Sequence, residues 1–364
     1  MKIREIINTI AAFAPPSLQE GYDNAGLIFG NPDWEVSNVL LTLDATEDVI
    51  REAVDKGCNL VVAHHPIVFG GLKKINGNSY VERVAILAIK HDIAVYAAHT
   101  NLDNVLAGVN ARMAEQLALR DCRILDPKPS LLKKLYTFVP MAQLEQVRAA
   151  VFAAGAGHIG HYSECSFQAD GQGTFKGDDS TSPFVGQPGL RHTEPEAKLE
   201  VVLPRYLEGA VVKALLAAHP YEEVAYDLVS LDNSWGEAGA GMVGWLPEPM
   251  DEMAFLHLVK EQFRTGCVRY TPLRGKPVHK VALCGGAGSF LLKKAIAAGA
   301  DAYISADFKY HEFFDADNQL VIADVGHFES EQFTVELFYH ILTQNFRNFA
   351  PLKSSIRTNP VNYL

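Results

Sequence analysis

The chain has 364 residues, 48% hydrophobic and 21% charged, a globular composition too long for one compact core of ordinary size, so two or more domains are expected. Its net charge of -11 repels nucleic acid and anionic membranes alike, and a phosphate-bearing partner would need a local positive centre such as a bound metal. No run of about 18 apolar residues offers a membrane span, and five scattered cysteines without a Cys-x-x-Cys argue against a zinc knuckle or a disulfide framework and for reduced thiols in the cytoplasm.

Residues 1–16 read as an amphipathic helix rather than a signal peptide, because the apolar stretch 6–14 is broken by Asn8 and Thr9 and lacks a strongly basic flank. The first third then alternates short β-rich runs with helical patterns, as parallel βαβ units do. Residues 39–43 (VLLTL) predict a strand, 46–56 a helix stopped at Gly57, 60–63 (LVVA) a strand, 79–90 an amphipathic helix, 93–98 (IAVYAA) a strand and 105–119 a helix. Asp44, His64, His65, His99 and Asp103 all fall at or just after strand ends, where open α/β sheets place their ligand sites.

A second rhythm follows the stretch DPKPS at 126–130. Strands at 131–139, 162–169, 198–203 and 224–231 and helices at 144–154 and 207–218 give the order βαββαβ, the ferredoxin-like pattern. From Pro247 the first rhythm resumes: a helix at 250–263, a strand at 280–284, a helix at 290–298, strands at 302–305 and 320–324 (LVIAD), and a long helix from about Phe328. The expected fold class is therefore α/β: a discontinuous domain with a mostly parallel sheet, residues 1–127 and 247–364, interrupted by an α+β insert over 128–246.

Three segments carry metal-ligand chemistry. Ala63-His64-His65-Pro66 ends a strand, and adjacent residues of a strand point to opposite faces, so both imidazoles serve one site only if the chain turns there. His99-Thr100-Asn101-Leu102-Asp103 also follows a strand, and Asp103 reads either as a carboxylate ligand or as the N-cap of the next helix, the cap being the simpler reading of this segment alone. In Gly326-His327-Phe328-Glu329-Ser330-Glu331, His327 and Glu331 are four apart at a helix start, which is chelate spacing. Acidic residues facing the positive end of a helix dipole would explain Glu329 and Glu331, but not His327. The convergence of all three at one edge of one sheet points to a pair of divalent ions, with Asp103 or Glu331 as the bridge. Nitrogen and oxygen donors leave Zn, Mn, Fe and Co open.

Further candidates have ordinary alternatives. Cys284-Gly285-Gly286-Ala287-Gly288-Ser289, between a strand and a helix, could receive an anion on its backbone N–H groups or form a plain tight turn. Asp307, Lys309 and His311 follow another strand and could line the same cleft, as proton shuttle or phosphate contact. His158, His161 and His192 with Glu164 could form a second metal site, but their Gly-rich surroundings favour a loop. His219, in His219-Pro220-Tyr221-Glu222, ends a helix, where a histidine suits the negative dipole end. A G-x-S-x-G hydrolase motif is missing.

The chain resembles, from end to end, the Nif-three-like family of dinuclear-metal proteins, whose members are often called GTP cyclohydrolase I type 2 homologues. The resemblance rests on Tyr22-Asp23-Asn24-Ala25-Gly26-Leu27, the three segments above, and Lys309-Tyr310-His311. It implies that His64, His65, Asp103, His327 and Glu331 hold two metal ions. It also implies that the insert is PII-like, through Gly157-His158-Ile159-Gly160 and His219-Pro220-Tyr221-Glu222-Glu223, and that the chain forms toroidal hexamers with the metal sites facing an internal cavity. Tyr22 stands where the family commonly has an indole, and Ala306 where it usually has a glycine. The function expected is a metal-dependent hydrolase of a small phosphorylated or nucleotide-like substrate, GTP ring-opening being one version, with His99, Asp307 or His311 handling protons. The rival is a non-enzymatic scaffold that stores or senses metal, its insert binding an effector or partner protein.

Overall fold

A computed structural model describes residues 1–364, which divide into two compact units. One comprises Met1–Pro127 and Glu237–Leu364, the other Lys128–Gly236. The insert thus ends ten residues before the boundary at 246 read from the sequence. The reason is the strand Gly239–Met250, which pairs antiparallel with Arg120–Pro127 on one side and Val278–Ala287 on the other and so belongs to the first unit's sheet. Its Gly-rich start and register shifts hide the alternation by which a strand is recognised.

The first unit contains two sheets where one was expected. The first sheet runs, in spatial order, Gly26–Phe29, Ala94–Ala97, Leu60–Ala63, Val39–Thr42 and Leu352–Lys353, all parallel except Gly26–Phe29. Its three central strands are buried at every position, as strands covered on both faces must be, which is why they read as unbroken apolar runs. The helices Glu47–Asp55 and Tyr80–Lys90 pack Val49, Ile50, Ala53, Val84 and Ala88 against Leu40, Val61 and Val95. Thr46 and Ser79 cap them, each accepting a backbone N–H of its helix's first turn, so the expected helix starts hold.

The second sheet runs Arg269–Tyr270, Val321–Asp324, Ala302–Ala306, Val278–Ala287, Gly239–Met250 and Arg120–Pro127. Only the pairings among Val278–Ala287, Ala302–Ala306 and Val321–Asp324 are parallel. One face packs Met242, Leu283 and Ile304 with Phe255, Val259 and Met113, the other packs Ala282, Tyr303 and Ile322 with Leu291, Leu292 and Ala295.

Two expected helices are broken. Of residues 105–119 only Val109–Gln116 is helical, and a separate short helix, Thr100–Asp103, precedes it; Gly108 is the N-cap of Val109–Gln116, where a Cβ would collide with the carbonyl oxygen of Leu102. Asp103 is consequently the last residue of a short helix, not a cap. The long helix from 328 is likewise His327–Glu331 followed by a separate Thr334–Asn345.

The insert has the element order strand, helix, strand, strand, helix, strand. Its antiparallel sheet is ordered Ser166–Phe175, His192–Pro204, Leu132–Pro140, Tyr226–Leu231, and the helices Leu144–Ala153 and Glu208–Ala218 bury Val147, Val151, Val211 and Leu215 against Leu135, Leu199 and Val201.

The C-terminal segment is fastened back onto the first sheet by Glu52. Its carboxylate accepts from Lys56 Nζ at 2.7 Å, from the Ser355 N–H at 2.8 Å and from the Ser354 and Ser355 hydroxyls at 2.5 and 2.6 Å. Burial works against its charge, yet these donors hold the carboxyl at about 2. With the folded pKa below the unfolded value, the stabilisation is complete above the unfolded value and lost as pH falls through about 2. Glu52→Gln should therefore cost on the order of 1–2 kcal/mol at neutral pH, discounted for solvent screening. Urea unfolding at pH 7 and near pH 3 checks this, the difference between wild type and variant shrinking as acid is added.

Candidate metal centre

The first and second sheets of the larger unit point their strand ends into one cleft of about 1070 Å³. His64 and His65 leave the end of Leu60–Ala63, where both backbone N–H groups donate to the Leu43 carbonyl at 3.0 Å and the chain turns. His99 and Asp103 follow Ala94–Ala97 of the same sheet, whereas His327 and Glu331 follow Val321–Asp324 of the other. The ligand segments thus converge from two sheets rather than lining one edge of a single sheet. On the helix His327–Glu331 the spacing of four brings His327 Nε2 to 3.2 Å from Glu331 Oε2, as expected from sequence.

Each of the four histidines has Nδ1 engaged behind the site. His64 Nδ1 donates to the Ala98 carbonyl at 2.8 Å; His65 Nδ1 lies 2.7 Å from Asp44, His99 Nδ1 2.8 Å from Asp23 and His327 Nδ1 2.6 Å from Asp307. The free Nε2 atoms then face one another: those of His65 and His327 are 3.3 Å apart, and the His64 ring centroid is 4.9 Å from that of His65 and 5.3 Å from that of His99. Imidazoles oriented by carboxylates or carbonyls through the other nitrogen are the usual dress of metal ligands.

Three polar atoms in this cluster are buried without a hydrogen-bond partner: His64 Nε2, Asp103 Oδ1 and Glu331 Oε2. His64 Nε2 is 3.5 Å from Asp103 and 3.7 Å from Glu331, while Glu331 Oε2 is 2.9 Å from His65 Nε2 without hydrogen-bond alignment. Orphaned atoms of this kind are costly in a protein interior, and a shared cation satisfies all three. Three triads have donors within 4.8 Å of one another: His64, His65 and His99; His65, His327 and Glu331; His64, Asp103 and Glu331. The donor set fits a divalent cation, and of the two carboxylates foreseen as a bridge, Asp103 falls in one triad and Glu331 in two.

The protonation pattern shows how tightly these groups are coupled. Burial pushes the His64 imidazole down and, with Glu331 beside it, pushes the Asp103 carboxyl well up. Burial would also lower His65 and His327, but Asp44 and Glu331 hold the first at about 10, and Glu331 and Asp307 hold the second at about 11. Burial opposes the charge of Asp23, yet His99 and Thr100 keep its carboxyl at about 2.

The other foreseen residues divide. His99 lines the cleft with its Nε2 side inward. Asp307 also lines it but is spent on orienting His327. His311 is not brought to the cluster; it is exposed on the helix Tyr310–Ala316, edge-on to Tyr310 and beside Phe314. In the glycine run the N–H groups of Gly285 and Gly286 are taken, donating to Asn110 and Ser330 at 3.0 and 2.9 Å, and so are closed to an anion. In the insert His158 and His161 are exposed loop residues, in keeping with the loop reading, whereas His192 opens the strand His192–Pro204 and pairs with Glu194 at 2.8 Å. Sequence reading missed the roles of Asp23 and Asp44. Asp44, at a strand end, was in view, but only the fold sets it behind His65. It also missed the tail, where Thr358 donates to Asp44 at 2.5 Å and Asn359 to Glu329 at 2.8 Å.

Asp44→Ala should free the His65 ring and weaken metal binding by roughly 10- to 100-fold with the fold intact, as loss of a carboxylate behind a ligand usually does. Competition with a chromophoric chelator reads the change.

Fold and site together define a class: an α/β protein with a clustered histidine and carboxylate centre that could hold a metal ion. The chain belongs to the Duf34/NIF3 (NGG1p interacting factor 3) family, whose model matches residues 1–360. Proteins named GTP cyclohydrolase 1 type 2 homolog are similar to it: the one from Bacillus subtilis is 41% identical over 327 residues, covering 89% of this chain and 88% of that one. The one from Halalkalibacterium halodurans is 38% identical over 364 residues, covering 99% and 98%. Among solved structures, a Bacillus cereus protein related to NIF3 superposes with a TM-score of 0.87 at 36% identity, covering 100% of this chain and 99% of that one. No helix is long and apolar enough to cross a membrane.

Proposed function

We propose that the protein is a metal-dependent hydrolase of a small phosphorylated or nucleotide-like substrate, with His64, His65, Asp103, His327 and Glu331 holding two divalent ions drawn from Zn, Fe, Mn and Co. The observation that carries this reading is the trio of buried, unsatisfied donor atoms on His64, Asp103 and Glu331. Bound there, the cation pair would supply Lewis acidity for attack of water on an electrophilic centre.

The chain's own residues prepare the rest. His99, its ring set by Asp23, presents Nε2 to the site and serves to hold or pass a proton there, while Asp307 acts through His327. Seven acidic side chains line the cleft against one cationic side chain, Arg269, and that one pairs with Asp324. Such a wall draws in a phosphate only through the metals, which ties substrate binding to metal loading. Tyr22, Phe69, Tyr80 and Phe290 are exposed along the same cleft and suit a flat ring such as a nucleobase.

The same reading takes the insert to be PII-like and the assembly to be a homohexamer in the cytoplasm. Elemental analysis of protein purified without added metal or chelator should find about two ions per chain, and a screen of phosphoesters and nucleotides, GTP included, should find turnover that Asp103→Ala abolishes without unfolding the chain. Metal uptake without turnover across that screen would leave the storing or sensing scaffold. A wild type that refuses Zn, Mn, Fe and Co alike would overturn both.

A further inference from the structure

The insert carries a cavity of its own, about 680 Å³ in volume, lined by none of the residues that line the metal-centre cleft. Aromatic rings wall it. Tyr221 is central, its ring 5.9 Å from that of Phe175 and 6.4 Å from that of Phe184. It is held at both ends, the hydroxyl donating to Glu196 Oε1 at 2.7 Å and the backbone N–H to His219 Nδ1 at 3.1 Å. Phe184 comes from the segment joining the strands Ser166–Phe175 and His192–Pro204, which the Ser182 N–H pins by donating to the Glu222 carboxylate at 3.0 Å.

Glu196 sets the sign of the site. It lines the cavity at only 7% exposure, its one hydrogen bond comes from Tyr221, and no lysine, arginine or histidine forms an ion pair with it. A Cβ at residue 173 would collide with Glu196 Oε2, so Gly173 is what leaves the carboxylate its place. Lys198 also lines the cavity, but its ammonium is committed to Glu200 at 2.8 Å and to the Tyr136 ring at 4.3 Å. Asp170, Glu222 and Glu223 add negative charge, with Lys176 the remaining cation. A buried carboxylate without a basic partner is costly, and aromatic faces attract cations and not anions.

We propose that this cavity binds a small organic cation, an ammonium or guanidinium on an apolar body, with its head against Glu196 and its body among Phe175, Phe184 and Tyr221. A nucleotide, by contrast, meets the wrong charge here.

Calorimetric titration of the full chain with choline, spermidine and arginine methyl ester, with AMP as the anionic control, tests this. At least one cation should bind with a Kd of about 1 mM or tighter. Glu196→Gln, which keeps the shape and an acceptor for Tyr221, should weaken it about tenfold or more, and Phe184→Ala about threefold or more. Phe184 is half exposed, so that variant carries the test even if Glu196→Gln does not fold. The proposal is overturned if none of the three cations binds, if neither variant alters their affinity, or if AMP binds in a way Phe184→Ala abolishes. A changed solution mass of Phe184→Ala without cation binding would overturn it too, and assign the cavity to contact between copies of the chain.

Discussion

Glu331→Ala is expected to empty the metal centre almost completely, with elemental analysis falling from about two ions per chain to less than one. Two of the three donor triads include Glu331, and it is 2% exposed. Loss of an outer carboxylate such as Asp44 costs 10- to 100-fold in affinity, so loss of a shared inner one should exceed about 100-fold. The fold should survive, because the helix His327–Glu331 is also held by Ser330, whose hydroxyl accepts from the Gly286 N–H. Glu331→Ala that kept both ions would show that the cations, if bound, sit elsewhere, and would remove the basis of the hydrolase reading.

Gly286→Ala should do nearly the same without touching a ligand. Gly286 has a φ of 62°, in the left-handed region that side chains disfavour, and its backbone passes so close to the centre that a Cβ would overlap Glu331 Oε1 and come within 3.2 Å of His327 Nε2. The backbone conflict alone costs roughly 1–3 kcal/mol. The alternative to that strain is to push Glu331 off its position. Either way the variant should lose metal, and thermal unfolding should show lower stability even with chelator present. Unchanged metal content with unchanged stability would mean that the strand end Gly285–Ala287 yields without moving the carboxylate.

Much of this protein was legible in its sequence because the signals are local. Unbroken apolar runs such as 39–43 and 60–63 name strands buried on both faces, and Thr46 and Ser79 mark helix starts by what their side chains can accept. The pairing of His327 with Glu331 follows from helical periodicity alone, and the family resemblance put His64, His65 and Asp103 beside them. Asp103 was the instructive residue, since its own segment favoured a helix cap, and only its neighbours in space bring it to within 3.5 Å of His64 Nε2.

What the sequence by itself determined was the strand ends that carry His64, His65, His99 and His327 and the pairing of His327 with Glu331, since strand-end position and a spacing of four are written into the order of residues. Tertiary structure alone decided that these donors arrive from two sheets, that the strands Arg120–Pro127 and Gly239–Met250 tie the chain's halves into one unit, and that Asp23, Asp44 and Asp307 stand behind His99, His65 and His327. Those contacts join positions 20 to more than 100 residues apart. No periodicity spans such separations; they depend on which buried faces pack together, and that is settled only when the whole chain has folded.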